Sequence, residues 1–511
     1  PATLTVLLVT LGGLPWLAGL GIGLAAALAV GLLANVLVVR RFHRAPRLQL
    51  TVATLGLSQI LAFGALLLPR AWGAGPAIRK MPVPFEVSFT VGEVRFDGSD
   101  LVALVVAPLL IAAVAVLLRF TDTGTAVRAA ADRGERAATL GIPVRRLDAQ
   151  IWVIAAVLSF VSVVLTAAVA ALPFGLGVGL AVVLRALAAL VLGRMTDLVS
   201  ITATAIAVGV LESGIRWNTG DVQLASPILA ALIVVALVLQ RRGVTRAERD
   251  DSSSWEQLRE VRPVPRVLAT LPEVRATRAA LAVVLAGVVL IGPLAMGTNG
   301  QLKAGIVVIF AIVGTSVVAL TGWAGQVSLG QMAFVGVGAA VGAWGTVEHS
   351  WDPVTSMVVA GLAGAVVAVL VGLPALRLRG LYLAVTTLAL SLAASEWVFS
   401  NRAHDWIPNG SFSRPLLLHR IDLDSPLRRY YLSVAVLVLV LVALRGVRRS
   451  RSGRVLVALR DNEPGVVAYG VHPVRAKLAA FALSGFVAAV AGVLLVVHQG
   501  SFRPVTYEPH E

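Results

Sequence analysis

Long apolar runs, separated by short polar segments, make up most of the chain. A membrane-spanning helix needs roughly 20 mostly apolar residues, and fourteen runs approach that length, some of them short or interrupted by glycine. The predicted spans are about 16–39, 50–69, 101–119, 151–172, 178–193, 198–215, 225–240, 279–296, 303–320, 332–347, 354–373, 381–400, 430–444 and 478–498. The fold class that follows is all-α: a polytopic transmembrane helical bundle.

Composition supports this prediction. Of the 511 residues, 58% are hydrophobic and 14% are charged, whereas roughly a quarter of an average soluble domain is charged. The chain has no cysteine, which excludes disulfide scaffolds, cysteine-ligated zinc and thiol catalysis. The seven histidines are scattered without ligand spacing, so we expect no metal site. The sequence therefore predicts an integral membrane protein.

One stretch has the composition of a soluble linker. Residues 241–278 run from two arginines through acidic residues and serines to three spaced prolines. High charge, serine and proline favour an extended connection over a folded domain. The linker divides the chain into a first half, residues 1–240, and a second half, residues 279–511.

The net charge of +16 would suggest nucleic-acid binding if the basic residues formed a patch. Instead they form short clusters between the spans, as in loops on the cytoplasmic side of a membrane. Alternating the spans with the linker inside assigns 30 of the 43 basic residues, but 13 of the 27 acidic ones, to that side. The inside segments are then 40–49, 119–150, 194–197, 241–278, 374–380 and 445–477. The charge is thus a signal of topology, and we expect a lipid bilayer and no nucleic acid as partner.

Two of these inside segments, 119–150 and 445–477, resemble each other. A shift of 329 positions places five residues on identical residues: Gly124 on Gly453, Ala129 on Ala458, Asp132 on Asp461, Gly141 on Gly470 and Arg146 on Arg475. Both segments lie on the same predicted side, so the repeat is parallel, about an axis along the membrane normal. A charged loop is usually only a solvated surface, but a matched pair favours docking of a partner.

The repeated segments resemble the coupling-helix loop of ABC importer permeases, and most of both halves is similar to the branched-chain amino acid family of these. In the second half the similarity lies in Leu320–Gly330 with Phe334–Ala339, in Leu381–Ala389 and in Arg460–Glu463. In the first half it lies in Ala45–Arg47 with Thr54–Leu57, in Thr123–Ile142 and in Leu184–Gly193. The two permeases are usually separate chains in the family, so here they look fused through the linker. Spans expected at both ends are absent, and we therefore expect both ends to be truncated.

The resemblance implies that two separate ABC ATPase subunits dock on the two loops at the cytoplasmic face. The docking residues it suggests are Gly124, Arg128, Ala129, Asp132 and Gly141 in the first half, and Gly453, Ala458, Arg460, Asp461 and Gly470 in the second. ATP would be used by those subunits, because this chain has no phosphate-binding loop of the Gly-x-x-x-x-Gly-Lys-Ser/Thr type. We expect no cofactor in this chain and no enzyme activity of its own. We also expect an extracytoplasmic solute-binding protein as a partner, and we expect the chain to lie in the plasma membrane of a prokaryote.

Polar groups within spans are costly and are therefore candidates for function. Gly325, Gln326, Ser328 and Gly330 predict an unwound segment whose free backbone groups could meet an amino acid, although close helix packing explains the glycines equally well. Thr386 and Thr387 would bond either a solute or their own helix. Arg185, inside its span, would form either a salt bridge or a contact with a substrate carboxylate.

The leading hypothesis is a fused two-half permease of an ABC importer for branched-chain or related small apolar amino acids. Closely similar permeases carry urea or short amides, which is the first alternative. An ion-coupled secondary transporter is a second alternative, but it predicts acidic residues or histidine at mid-span, where this sequence has almost none. A membrane-embedded enzyme would need a clustered catalytic set, and none is found.

Overall fold

The computed structural model describes residues 1–42, 47–75, 79–85, 87–92, 94–132, 134–171, 178–193, 197–220, 224–239, 271–376, 381–400, 406–408 and 410–507. The predicted linker lies outside the described residues as far as residue 270. The described residues belong to two compact units, the first from Pro1 to Val182 and the second containing 183–239 and 271–507. Each unit is described by itself.

The described part of the first unit is mainly helical and contains one β-hairpin. Its helices are α1 (Ala2–Thr10), α2 (Trp16–Ala34), α3 (Arg40–Phe42), α4 (Arg47–Leu67), α5 (Gly98–Phe120), α6 (Asp122–Asp132), α7 (Gly134–Thr139) and α8 (Val144–Val169). A π-helical turn at Asn35–Val39 joins α2 to α3, and a 3-10 turn at Leu68–Trp72 follows α4. Strands β1 (Ser88–Val91) and β2 (Val94–Asp97) pair antiparallel just before α5.

Small residues allow α1, α2 and α8 to pack closely in the first unit. A Cβ added to Gly31 of α2 would lie 2.7 Å from the Cβ of Ala156 in α8. Phe160 and Val164 of α8 are buried against Val6 of α1 in the same hydrophobic cluster. These three helices therefore form the core of the first unit, with α6 and α7 preceding α8 in the chain.

Within the described residues, the second unit contains most of α9 (Val178–Leu192) and eleven further helices. They are α10 (Leu198–Thr219), α11 (Ala225–Leu239), α12 (Pro272–Ile291), α13 (Thr298–Val317), α14 (Gln331–His349), α15 (Pro353–Ala375), α16 (Leu381–Ala393), α17 (Pro426–Arg449), α18 (Arg451–Asp461), α19 (Glu463–Ala468) and α20 (Pro473–Gln499). π-helical turns follow α13 at Val318–Trp323 and α16 at Ala394–Val398, and 3-10 turns lie at Gly292–Ala295 and Pro504–Tyr507. The short strands β3 (Gly410–Ser411) and β4 (Ser501–Phe502) pair antiparallel.

Helix α20 is at the centre of the second unit. In its most apolar stretch of 18 residues, 83% of the residues are buried. In the other candidate spans of the described residues this share is at most 39%. Its glycines bring it against the backbones of two neighbours: a Cβ added to Gly492 would lie 2.0 Å from the carbonyl oxygen of Val335 in α14, and one added to Gly485 would lie 2.5 Å from that of Gly364 in α15. Such close approach of backbones is how helices associate where lipid offers no hydrophobic gain.

Helices α10 and α11 come from the predicted first half but belong to the second compact unit. Helix α11 packs on α16 and the turn after it, where the Ser226 hydroxyl donates a hydrogen bond to the Glu396 carboxylate. This bond satisfies one oxygen of the Glu396 carboxylate. The division of the sequence into halves at the linker stays a prediction.

The polytopic helical bundle is confirmed. Among the described residues, nine helices are long and apolar enough to cross a membrane: Trp16–Val39, Gly98–Phe120, Arg146–Val169, Leu198–Thr219, Pro272–Ala295, Thr298–Trp323, Pro353–Pro374, Pro426–Arg449 and Pro473–Gln499. Each coincides with a predicted span. The other five predicted spans coincide with the helices α4, α9, α11, α14 and α16.

We predict that Gly492→Ala destabilises the second unit by about 1–3 kcal/mol, because the added methyl group would collide with the backbone of α14. Gly314→Ala in α13 is the matched control, since a Cβ there meets nothing within 4 Å and alanine favours a helix by about 1 kcal/mol. Denaturant unfolding in detergent micelles measures both. Equal midpoints for the two variants would contradict the close packing of α20.

Candidate docking loops and substrate path

The repeat found in the sequence extends to the ends of the helices. A shift of 329 positions takes α6, Asp122–Asp132, onto α18, Arg451–Asp461, and α7, Gly134–Thr139, onto α19, Glu463–Ala468. It also takes the first residue of α8, Val144, onto the first residue of α20, Pro473. We call residues 122–142 the first docking loop and residues 451–471 the second docking loop. Each loop is a pair of short helices leading directly into a long one.

Both docking loops begin with the same cap. The Thr121 hydroxyl accepts a hydrogen bond from the backbone N–H of Gly124 at 3.0 Å, and the Ser450 hydroxyl accepts one from that of Gly453 at 3.4 Å. A hydroxyl at this position satisfies one of the free N–H groups of a helix start. A Cβ on either glycine would lie 2.3 Å from a carbonyl oxygen of the preceding helix. The glycines therefore permit the sharp turn between the long helix and the docking loop.

Both docking loops also end alike. Gly141 has a φ of +85° and Gly470 a φ of +77°, a left-handed conformation that only glycine adopts readily after a helix. Leu140 and Tyr469, also 329 positions apart, precede these glycines and are 77% and 89% exposed. The two docking loops therefore each expose a large side chain just before the repeated glycine.

Leu140 and Tyr469 were missed by the sequence prediction. Their signal in the sequence is weak, because each is one apolar residue before a repeated glycine and the two differ in type. Only the exposure of both side chains distinguishes them from residues that pack inward.

The other predicted docking residues lie mostly at the surface. Arg128 is exposed and donates a hydrogen bond to the Thr125 hydroxyl of its own helix at 3.3 Å. Ala458 is exposed, and Ala129 is partly buried. Asp461 accepts a hydrogen bond from Arg460 Nε at 2.8 Å. Asp132 ends α6.

The predicted unwound segment is present in the second unit. We call residues 322–330 the glycine-rich segment. It begins in the π-helical turn after α13 and ends at the residue before α14. Gly325 has a φ of +67°, and its N–H donates to the carbonyl of Thr321 at 3.2 Å. The Thr321 hydroxyl in turn donates to the carbonyl of Gln326 at 3.1 Å. These bonds hold a non-helical backbone in place within a predicted membrane protein, which requires protein partners for its polar groups.

Polar groups of the segment find their partners locally. The Gly330 N–H donates to the Ser328 hydroxyl at 3.3 Å, and the Gln326 amide donates to the carbonyl of Ala324 at 3.3 Å. Ser328 is 8% exposed. These bonds are compatible both with a path for solute and with a purely structural turn.

Thr387 of α16 lies against the glycine-rich segment. Its hydroxyl accepts a hydrogen bond from the N–H of Leu329 at 3.0 Å and donates one to the carbonyl of Ala384 at 3.0 Å. A Cβ added to Gly330 would lie 2.3 Å from the carbonyl oxygen of Thr387. The structure thus brings together two of the predicted substrate-path groups. Thr386 beside it is fully buried.

A buried polar cluster at the start of α14 was missed by the sequence prediction. The Gln331 amide nitrogen donates to the hydroxyls of Ser316 and Ser484, each at 2.7 Å, and the Ser484 hydroxyl donates to the carbonyl of Ser316 at 2.9 Å. The amide oxygen of Gln331 is buried and accepts no hydrogen bond. A buried acceptor without a partner is costly, so this oxygen would gain from an N–H donor brought to it.

Arg185 makes the salt bridge that was one of its two alternatives. Its guanidinium donates to both carboxylate oxygens of Glu212, each at 2.9 Å, and Arg216 donates to the same carboxylate at 3.0 Å. Such a bidentate pair is the preferred geometry of arginine with a carboxylate.

The described residues include no group of three histidines or acidic side chains able to hold a metal ion.

A family model described as branched-chain amino acid transport system, permease component, matches residues 2–238 and again residues 301–509. The chain belongs to this family. The double match is what two permease regions in one chain produce, and the unmatched stretch contains the predicted linker.

Two curated relatives of the permease bear the same name, high-affinity branched-chain amino acid transport system permease protein LivM. The protein from Escherichia coli (strain K12) is 28% identical over 223 residues, which are 39% of this chain and 52% of the relative. The protein from Salmonella typhimurium is 29% identical over 223 residues, with the same shares. The chain thus spans about half the length of the curated relatives it matches. No solved structure matches it.

For the permease we predict that Gly330→Ala displaces the glycine-rich segment, because the new methyl group would overlap the Thr387 carbonyl. Gly322→Ala is the matched control, since its Cβ would make only an ordinary contact, 3.4 Å from Val318. The chain has no cysteine, so Gln326→Cys supplies a single thiol. Its reaction rate with a maleimide should rise several-fold with Gly330→Ala and remain unchanged with Gly322→Ala. An unchanged rate in both would show that the segment is not held by α16.

Proposed function

We propose that this chain is the membrane-spanning permease of an ABC importer for branched-chain or related small apolar amino acids. The observation that carries the proposal is the pair of docking loops, equal in helix boundaries and 329 positions apart, in a chain of this family. The names of the curated relatives support the substrate class. We place the protein in the plasma membrane of a prokaryote, as a transport component that catalyses no reaction itself.

Two separate ABC ATPase subunits would dock at the cytoplasmic face, one on each docking loop. Leu140 and Tyr469 are the anchors that the geometry favours, because an exposed apolar side chain gains most from burial in a partner's pocket. ATP would be bound and hydrolysed by these subunits, since the chain carries no phosphate-binding loop of its own.

Movement of the docking loops would reach the membrane helices directly. Helix α6 contacts both α5 and α8, and α18 contacts both α17 and α20. Lys477 of α20 donates a hydrogen bond to Glu463 of α19, in the second docking loop, at 2.9 Å. Closure of the ATPases would tilt these helices and alternate access to a central path. An extracytoplasmic solute-binding protein would deliver the substrate to segments that the alternation of spans places outside, such as 70–100 and 401–429.

The glycine-rich segment with Gln331 offers a place for the substrate. Backbone groups at a break in a helix can meet both charged ends of an amino acid. The free amide oxygen of Gln331 suits the ammonium group in particular. Gly325, Gln326, Ser328, Gly330 and the pair Thr386 and Thr387 remain the proposed path residues. Arg185 is omitted, because its guanidinium already pairs with Glu212.

We predict that Tyr469→Ser and Leu140→Ser each weaken association with the ATPase subunits by tenfold or more, since buried anchors typically contribute about 2 kcal/mol or more. Trp217→Ser is the matched control: Trp217 is 88% exposed but lies at the end of α10 that is predicted to face outside. Co-purification of the ATPases with the detergent-solubilised chain measures the effect. Retention of both subunits by the Tyr469→Ser, Leu140→Ser double variant would refute the docking assignment.

Substrate identity is decided by uptake into vesicles that contain the chain, the cognate ATPases and the binding protein. We expect ATP-dependent accumulation of labelled leucine and none of labelled urea. Uptake of urea instead would move the chain to the urea and short-amide permeases. Uptake of leucine that follows an ion gradient and needs no ATP would support a secondary transporter.

A further inference from the structure

The second docking loop is bound to the glycine-rich segment through one side chain. Arg460, in the last turn of α18, donates a hydrogen bond from Nη1 to the carbonyl oxygen of Gly322 at 2.7 Å. Its Nε donates to the Asp461 carboxylate at 2.8 Å, and the side chain is only 21% exposed. The guanidinium is therefore held by two acceptors, one at the end of its own helix and one in the segment. Hydrogen bonds from a charged donor are about twice as strong as neutral ones.

The aliphatic part of Arg460 also lies against the segment. A Cβ added to Gly325 would be 2.9 Å from Arg460 Cγ and 3.5 Å from its Cβ. The arginine stem thus packs on bare glycine backbone, at a position whose φ of +67° already requires glycine. The guanidinium and the aliphatic part of Arg460 together fix α18 relative to residues 322–325.

The segment continues this connection into the core of the second unit. It accepts Arg460 at its first residue, contacts Thr387 of α16 near its end, and leads into Gln331, which is bonded to α13 and α20. A displacement of α18 therefore acts on residues that line the proposed substrate path.

The first docking loop has neither an arginine nor a glutamate at the equivalent positions. The position equivalent to Arg460 is Ala131, which is exposed, and the position equivalent to Glu463 is Gly134, which has no side chain to pair with a lysine. Arg128, the arginine the first docking loop does carry in α6, bonds within its own helix. The two loops thus share backbone geometry but differ in how their side chains attach to the membrane helices.

We propose that Arg460 is a positioning residue that transmits movement of the second docking loop to the glycine-rich segment, so that the two docking loops have unequal roles. This inference rests on the proposed function, in which ATPase subunits dock on both loops. The second loop both receives an ATPase and acts on the path; the first receives an ATPase and moves its own helices only.

The test uses the full chain with its ATPases and binding protein in vesicles, and measures leucine uptake per ATP hydrolysed. Arg460→Ala should lower this ratio about tenfold, a typical size of coupling between two sites, while both ATPases stay bound. Arg460→Lys should restore part of it, because lysine keeps the charge but cannot serve both acceptors in the same fork. Arg454→Ala is the matched control, since Arg454 is an exposed arginine of the same helix that bonds the carbonyl of Arg449.

A second readout separates transmission from folding. With Gln326→Cys as the only thiol, nucleotide should change the maleimide reaction rate in the otherwise unmodified chain and leave it unchanged with Arg460→Ala. An unaltered uptake ratio and nucleotide response in Arg460→Ala would overturn the inference while the proposed function stood. Loss of the ATPases from Arg460→Ala would overturn it too, making Arg460 a docking residue. Failure of the unmodified chain to bind ATPases would refute the proposed function itself.

Discussion

The direct backbone contact of α20 with α14 and α15 is the constraint on which the second unit depends. Glycines on all three helices remove the side chains that would otherwise hold the helices apart. Because α20 continues directly from the second docking loop, its position also sets where that loop lies. Because α14 continues directly from the glycine-rich segment, the same contact sets where the segment lies. The second docking loop and the glycine-rich segment therefore lie next to each other because α20 packs on α14.

Much of the architecture could be predicted from local pattern. Apolar runs of sufficient length mark helices in lipid, where every backbone group must be bonded internally, and all fourteen predicted spans coincide with helices. The first residues matched by the repeat at 329 positions, Gly124 and Gly453, lie two residues after the starts of the corresponding helices. Gly141 and Gly470, which the repeat matches, each follow a short helix and have a positive φ.

Contacts between residues distant in the sequence could not be predicted. Arg460 and Gly322 are 138 positions apart, and Thr387 and Leu329 are 58 apart; no periodicity links such pairs. Arg185 was recognised as unusual, but its choice of Glu212 depends on how α9 packs on α10. The membership of α10 and α11 in the second unit likewise follows from packing, and composition contains no signal for it. Buried glutamine at the start of α14 looks in the sequence like any residue after a turn.

The equality of the two docking loops in length has a practical consequence. No residue is inserted or deleted between the start of α6 and the start of α8 relative to the start of α18 and the start of α20. Residues 122–142 and 451–471 can therefore be exchanged as cassettes without altering the spacing of the helices that flank them. A chimaera with two copies of one cassette keeps the same backbone turns and differs only in the side chains that the two loops carry. The side chains of the two loops can thus diverge within one polypeptide while the helices that flank them keep the same spacing.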